Sequence, residues 1–276
     1  MARQMDTLSL LGLIALGLCS GGVTGLIGSS GVLIVVPALT LLFGLPIHTA
    51  IGTSLAVDVI ASIIVSIVYL RMGNVELRSG LGLALGAVVG AQVGSRIAKY
   101  IPSANLGRGF GIFLVIIGAG RLSGKGLIGL LSSQHSPQSM DTKKVSGQNN
   151  SIKVGPKQVA VSLVLGFLLG IISGIFGAGG GIMFLLTLIV LLKYPLHKAV
   201  GTSTLMMTLT ALSGAIGYAL NGYVSPLAFI LVGAGAIVGG RIGAVYANKV
   251  PEASLSKIIG IVFIALGIIM VAEQLL

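Results

Sequence analysis

The chain strings long apolar runs between short polar interruptions, and the runs show no period-two alternation. Apolar segments fall at about 8–27, 32–44, 49–70, 79–98, 106–120, 158–176, 182–192, 199–220, 224–247 and 258–272. Most approach the ~20 residues that a helix needs to cross a bilayer core. Two are short, 32–44 and 182–192, and each follows a cluster of glycines. A membrane β-barrel would require alternating apolar and polar positions, whereas these runs are continuous. The pattern predicts an all-α polytopic membrane protein of about ten hydrophobic segments. One long polar stretch, 121–157, is rich in Ser, Gln, Asn, Lys and Gly and reads as a solvated linker. It separates a first transmembrane repeat, 8–120, from a second, 158–272.

The two halves are copies. Gly25, Gly28 and Gly31 match Gly174, Gly177 and Gly180 at a constant offset of 149 residues. The same offset pairs Pro46 with Pro195, His48 with His197, and Gly52-Thr53-Ser54 with Gly201-Thr202-Ser203. It also pairs Tyr69 with Tyr218, Gly90 with Gly239, and Gly118 with Gly267. An offset held without a gap from Gly25 to Gly118 marks an internal duplication.

Charge placement bears on how the copies are oriented, because cytoplasmic loops carry the excess of Lys and Arg. If the linker is inside and all ten segments cross, thirteen cations lie inside and four outside, the four being Arg3, Arg96, Lys99 and Arg108. If the two short segments turn back instead, the split is nine to eight and the bias vanishes. Five crossings per half is an odd number, so the expected arrangement is two inverted-topology repeats. Many secondary transporters are built this way, with the site at the repeat interface near mid-membrane.

Composition narrows the class further. Of 276 residues, 55% are hydrophobic and 8% charged, too few charges to cover a water-exposed surface. The 43 glycines suit closely packed helices in lipid. Seventeen Lys and Arg against six Asp and Glu give a net charge of +11, most of it in loops. That placement fits anionic inner-leaflet lipid and the orientation rule, and it implies no nucleic-acid partner. The single Cys, Cys19, excludes an internal disulfide and a Cys-based metal cluster, and no cofactor or metal site is implied. Residues 8–27 resemble a secretory leader only superficially, since no Ala-x-Ala cleavage site follows; they read as a retained first membrane helix.

Candidate chemistry gathers at two places in each half. The clusters Gly28-Ser29-Ser30-Gly31 and Gly177-Ala178-Gly179-Gly180-Gly181 sit where one helix ends and a short one begins. A break there leaves free N–H groups at the positive end of a new helix, a ready anion site. The alternative is that these glycines only pack helices tightly. The second place is His-x-x-x-Gly-Thr-Ser, at His48, Thr53 and Ser54 and again at His197, Thr202 and Ser203. Hydroxyls and imidazoles can donate to an oxyanion. They can equally bond back to their own helix carbonyls or cap a helix end.

The doubled glycine turn, the sequences Ala50–Ser54 and Ala199–Ser203, and the polar central linker resemble the TauE/SafE family of membrane transporters. The resemblance covers about residues 8–120 and 158–272. It implies export of a small sulfur-containing oxyanion, sulfite or an organosulfonate such as sulfoacetate, across the bacterial inner membrane. The first copy departs from the family pattern by carrying Ser29-Ser30 where the second has Ala178-Gly179-Gly180-Gly181.

Three positions break the repeat symmetry or stand inside apolar runs. Asp58 is the only acid well inside an apolar segment, and its mate is Met207. An intramembrane acid points to proton or ion coupling, or to a carboxylate paired within the fold. Arg241 is the mate of Gln92; facing inward it would bind a sulfonate bidentately, facing outward it would snorkel to the interface. Tyr69 and Tyr218 are expected to be interface anchors.

The expected activity is alternating-access transport without catalysis, the ligand being a small anion in a lipid-embedded chain. A passive anion channel and a proton-coupled importer of an anion such as thiosulfate are the alternatives. A serine-protease reading of Gly28-Ser29-Ser30-Gly31 fails on the second copy, which keeps His197 but has Gly179 in place of Ser30. Small-residue faces permit a homodimer without demanding one.

Overall fold

In the computed structural model, which describes residues 7–27, 31–75, 80–122, 156–177, 180–190, 194, 196–246 and 252–273, every described element is a helix. In chain order these are α1 (Thr7–Ile27), α2 (Val32–Leu41), α3 (Ile47–Arg71), α4 (Leu81–Ala98) and α5 (Ser103–Leu122). The second half gives α6 (Pro156–Phe176), α7 (Gly181–Val190), α8 (Leu196–Ala219), α9 (Pro226–Tyr246) and α10 (Glu252–Glu273). Helices follow the apolar runs because lipid offers no partner to a backbone N–H or carbonyl, so each must be satisfied within its own segment. Most of the linker, 123–155, lies outside the described residues.

Among the described residues, six helices are long and apolar enough to cross a membrane: α1, α3, α4, α5, α8 and α9. Within α6 and α10, the stretches Ala160–Phe176 and Gly260–Glu273 are apolar but shorter. Outward-facing side chains such as Leu8, Leu85, Val89, Ile116, Ile230 and Ile261 are exposed, so the outer surface is apolar, as lipid requires. The protein is a multi-pass membrane protein. The centre is formed by α3 and α8, whose spans are 61% and 78% buried against 33% for α1.

The short helices α2 and α7 have 10 residues each, about 15 Å, half the depth of a bilayer core. Even so, each lies on a full return pass. Tyr69 Oη near the end of α3 donates to Gly25 O near the end of α1 at 3.5 Å, so α1 and α3 run in the same direction. The chain between them must come back, and α2 is the helical part of that return. Gly31 at its start lies against Ser20, and the Phe43 ring beyond its end lies beside Gly12. Tyr218 Oη donates to Ile175 O at 3.1 Å, which fixes α6, α7 and α8 in the same way. Each half therefore makes five passes, and both short helices lie at mid-depth.

Helices related by the duplication run antiparallel. Gly52, early in α3, meets Tyr218 and Tyr223 at the far end of α8, while Gly201, early in α8, meets Tyr69 and Asn74 at the far end of α3. Midway, Thr208 Oγ1 donates to Ser62 Oγ at 2.9 Å. In the α5–α10 pair Gly111 meets Gly267 and Gly118 meets Gly260, again antiparallel. The repeats are inverted about a pseudo-twofold axis.

The halves are also interlocked, since α1 packs on α9 and α6 on α4. Gly17, Gly21 and Gly25 of α1 lie on the backbone of Val232, Ala236 and Gly240, and a Cβ at any of the three would overlap a carbonyl oxygen or amide nitrogen of α9. Their mates Gly166, Gly170 and Gly174 meet Leu83, Ala87 and Ala91 of α4 in the same manner. Without a hydrophobic driving force between helices in lipid, such close backbone approach is what holds them together.

Candidate anion-binding site at the helix breaks

Both breaks carry glycine, for different reasons. At the α1–α2 break the described residue is Gly31; Gly28, Ser29 and Ser30 lie outside the described residues. Gly31 is right-handed, with φ −68 and ψ −10. Its need for glycine is spatial, because a Cβ would overlap the carbonyl oxygen of Ser20. Its N–H donates to Thr24 Oγ1 at 2.8 Å, and the Thr24 hydroxyl donates in turn to Ser20 O at 3.0 Å. The helix-start donor is thus used within the fold.

At the α6–α7 break Gly177 and Gly180 are left-handed, with φ 67 and 74, and Gly181 opens α7; Gly179 lies outside the described residues. An L side chain at such a φ costs about 1–2 kcal/mol. A Cβ at Gly177 would also press on Ile51 of α3, and one at Gly180 on the Phe184 ring. Ser173 stands where Thr24 stands in the first half. Its hydroxyl is buried and, among the described residues, has no hydrogen-bond partner.

Ser173 lines a narrow, partly open crevice together with Gly180, Ile182 and Met183 at the start of α7, Leu33 at the start of α2, Ile172 of α6, and Phe113 and Ile117 of α5. Leu33 and Ile182 are repeat mates, so the crevice lies where the starts of the two short helices converge, at the repeat interface. The Phe113 ring is held by stacking on Phe176 at 5.0 Å. Neither short helix has an acid in its first turn, so no carboxylate competes for the positive helix ends.

The hydroxyls of the duplicated signature are buried and engaged. Ser54 Oγ donates to Ile51 O at 2.7 Å and Ser203 Oγ to Val200 O at 2.9 Å, each back to its own helix. Thr53 Oγ1 accepts from Ser225 N at 2.9 Å and so ties α3 to the α8–α9 turn. Thr202 is 2% exposed and has a polar partner. The His48 ring lies 3.1 Å from Ala98 O through Nε2 and 3.4 Å from Ser103 Oγ through Nδ1. A carbonyl can only accept, so Nε2 carries the proton, and in the neutral ring Nδ1 accepts from the Ser103 hydroxyl. His48 thus pins the start of α3 to the α4–α5 turn. His197 is the second residue of α8, and its side chain lies outside the described residues.

Asp58 is 1% exposed and engaged with a polar partner. Gln92 Nε2 donates to Ser213 O at 2.8 Å, joining α4 to α8, whereas its mate Arg241 is exposed on α9, away from the crevice. Tyr69 and Tyr218 are not interface anchors: they are 4% and 1% exposed, and their hydroxyls take up carbonyls in the last turns of α1 and α6. Those carbonyls precede the breaks, and helix ends leave such groups without intrahelical partners.

The structure therefore brings Gly180 together with Ser173 and leaves Thr53, Ser54, Ser203 and His48 bound into the scaffold. Sequence reasoning missed Ser173. The signal was available, since the constant offset pairs it with Thr24, a hydroxyl within two turns of each break.

Comparison with known proteins adds a family. The model of the sulfite exporter TauE/SafE family matches residues 13–270. A Bacillus subtilis protein named "Probable membrane transporter protein YunE" is 28% identical over 268 residues, which are 95% of this chain and 97% of the relative. A protein of Methanocaldococcus jannaschii, also named a "Probable membrane transporter protein", is 29% identical over 79% of each chain. One from Xylella fastidiosa with the same description is 27% identical over 96% of this chain and 95% of its own. No solved structure matches the chain.

Proposed function

The chain belongs to the TauE/SafE family of membrane transporters, and from that premise we propose that it exports a small sulfur-containing oxyanion, sulfite or an organosulfonate, by alternating access between its two repeats. The observation that carries this reading is the convergence of the two short-helix starts on one crevice at the repeat interface. Half-helix N-termini directed at mid-membrane are how inverted-repeat transporters hold an anion. Broken backbone at that depth is tolerated only where protein buries it or a wet cavity lines it. In the reading proposed, N–H donors come from a short-helix start at the crevice, and the hydroxyls of Thr53, Ser54, Thr202 and Ser203 become available as the repeats move.

The five passes place Arg71, Lys198 and Arg241 at the membrane end that also carries the linker, while Arg96, Lys99 and Arg108 lie at the other. By the positive-inside rule the linker end is cytoplasmic. With the interior negative, an anion is driven outward at about 2.3 kcal/mol per charge per 100 mV, so export requires no coupled ion. Import would require one, and Asp58, buried in the central helix, is then the coupling carboxylate. In vesicles with a set potential and a sulfonate gradient, Asp58→Asn is expected to keep flux within about threefold of the parent and insensitive to an imposed pH gradient. Proton-dependent flux in the parent that Asp58→Asn abolishes would instead establish coupled import.

A further inference from the structure

We propose that the anion is held at one break and not at both: Ser173 and the first turn of α7 form the binding half-site, while Thr24 latches the start of α2 shut. This rests on the transport reading and narrows it to particular atoms.

Three features of the two breaks differ. Gly31 N–H is already bonded to Thr24 Oγ1, whereas the mate of Thr24, Ser173, is 1% exposed and leaves its hydroxyl without a partner. Gly31 has φ −68, whereas Gly180 has φ 74. Finally, among the described residues the crevice is lined by Gly180, Ile182 and Met183 at the α7 start and by Leu33 alone at the α2 start.

An orphaned buried hydroxyl costs about 1–3 kcal/mol, and a partner arriving in the crevice removes that cost. The partner must accept, since the free N–H groups and dipole of the α7 start favour negative charge beside the hydroxyl. The remaining wall is apolar, made by Leu33, Phe113, Ile117, Ile172 and Met183. The half-site therefore suits a singly charged oxyanion with a short apolar end, its oxygens toward Ser173 and α7 and its carbon toward Phe113. Met183, an unbranched and only partly buried side chain, is the element able to make room.

The test is equilibrium binding of labelled ethanesulfonate to the purified full-length chain, with proteoliposome flux measured in parallel. Ser173→Ala is expected to weaken binding about tenfold, as one hydrogen bond to a charged group is worth at least that. Ser173→Thr, which keeps the hydroxyl, stays within about threefold. Ser173→Cys, nearly isosteric but a poor donor, follows Ser173→Ala and serves if the alanine variant does not fold. Thr24→Ala stays within about twofold, and inorganic sulfite binds the parent more weakly than ethanesulfonate. Unchanged binding in Ser173→Ala, an equal loss in Thr24→Ala, sulfite binding as tightly as ethanesulfonate, or no binding by the parent would each overturn the half-site. Binding lost in Ser173→Ala while the parent carries no flux would leave the half-site standing and remove the transport reading.

Discussion

The α1–α2 and α6–α7 breaks occupy the same place in two copies of one ancestral fold, yet the hydroxyl beside one is bonded to the break and, among the described residues, the hydroxyl beside the other is not. The difference lies in a few atoms. Thr24 bridges Gly31 N–H to Ser20 O, while Ser173, lacking only a methyl group, makes neither bond. The surrounding packing did not diverge in step. The glycine contacts of α1 on α9 and of α6 on α4 are matched position for position, and the turns after α3 and α8 keep Gly73 and Gly222 at φ 72 and 74. Duplication thus preserved the backbone contacts that hold helices together in lipid and left polar positions free to differ. The repeat mates Asp58 and Met207, and Gln92 and Arg241, show the same division.

Substitutions at the breaks sharpen this contrast. The largest effect is expected at Gly31→Ala, where the added methyl meets the Ser20 backbone and cannot be accommodated by turning a side chain. A loss of about 3 kcal/mol or more is expected, read as a fall in folded yield and thermal midpoint in detergent. Gly180→Ala should cost less, about 1–2 kcal/mol, because its penalty is backbone strain and its added methyl meets a side-chain ring, Phe184, instead of backbone. Equal losses would mean that the two breaks are held alike. Thr53→Val removes the acceptor for Ser225 N and should cost about 1–3 kcal/mol, measurable as faster amide exchange in the α8–α9 turn. Smallest of all, Arg241→Gln should leave anion affinity within about twofold; a tenfold loss would bring this side chain into the site.

Much of the fold was legible in the sequence because lipid leaves few options. Continuous apolar runs must be helices, and an odd number of passes inverts the second copy. The constant offset also supplied the pairing that proved informative at Thr24 and Ser173. Other features were hidden because they depend on which helices become neighbours. Nothing in the spacing of Tyr69 and Tyr218 shows that they turn inward to carbonyls of α1 and α6 instead of outward to the interface. The hydroxyl signature singles out Thr53 and Ser54, but whether a hydroxyl meets a ligand, its own helix or a neighbouring turn is settled by packing. The interlocking of α1 with α9 was likewise invisible, since regularly spaced glycines announce close approach without naming a partner.

The central claim is tested most directly by anion flux through the purified protein in vesicles at a set membrane potential. The panel is sulfite, sulfoacetate, ethanesulfonate, thiosulfate, sulfate and chloride, each with and without a pH gradient. Saturable flux of a sulfonate or sulfite, driven by the potential and indifferent to the pH gradient, is the predicted result. Unsaturable flux of chloride together with every other anion, the behaviour of an open channel, would contradict it.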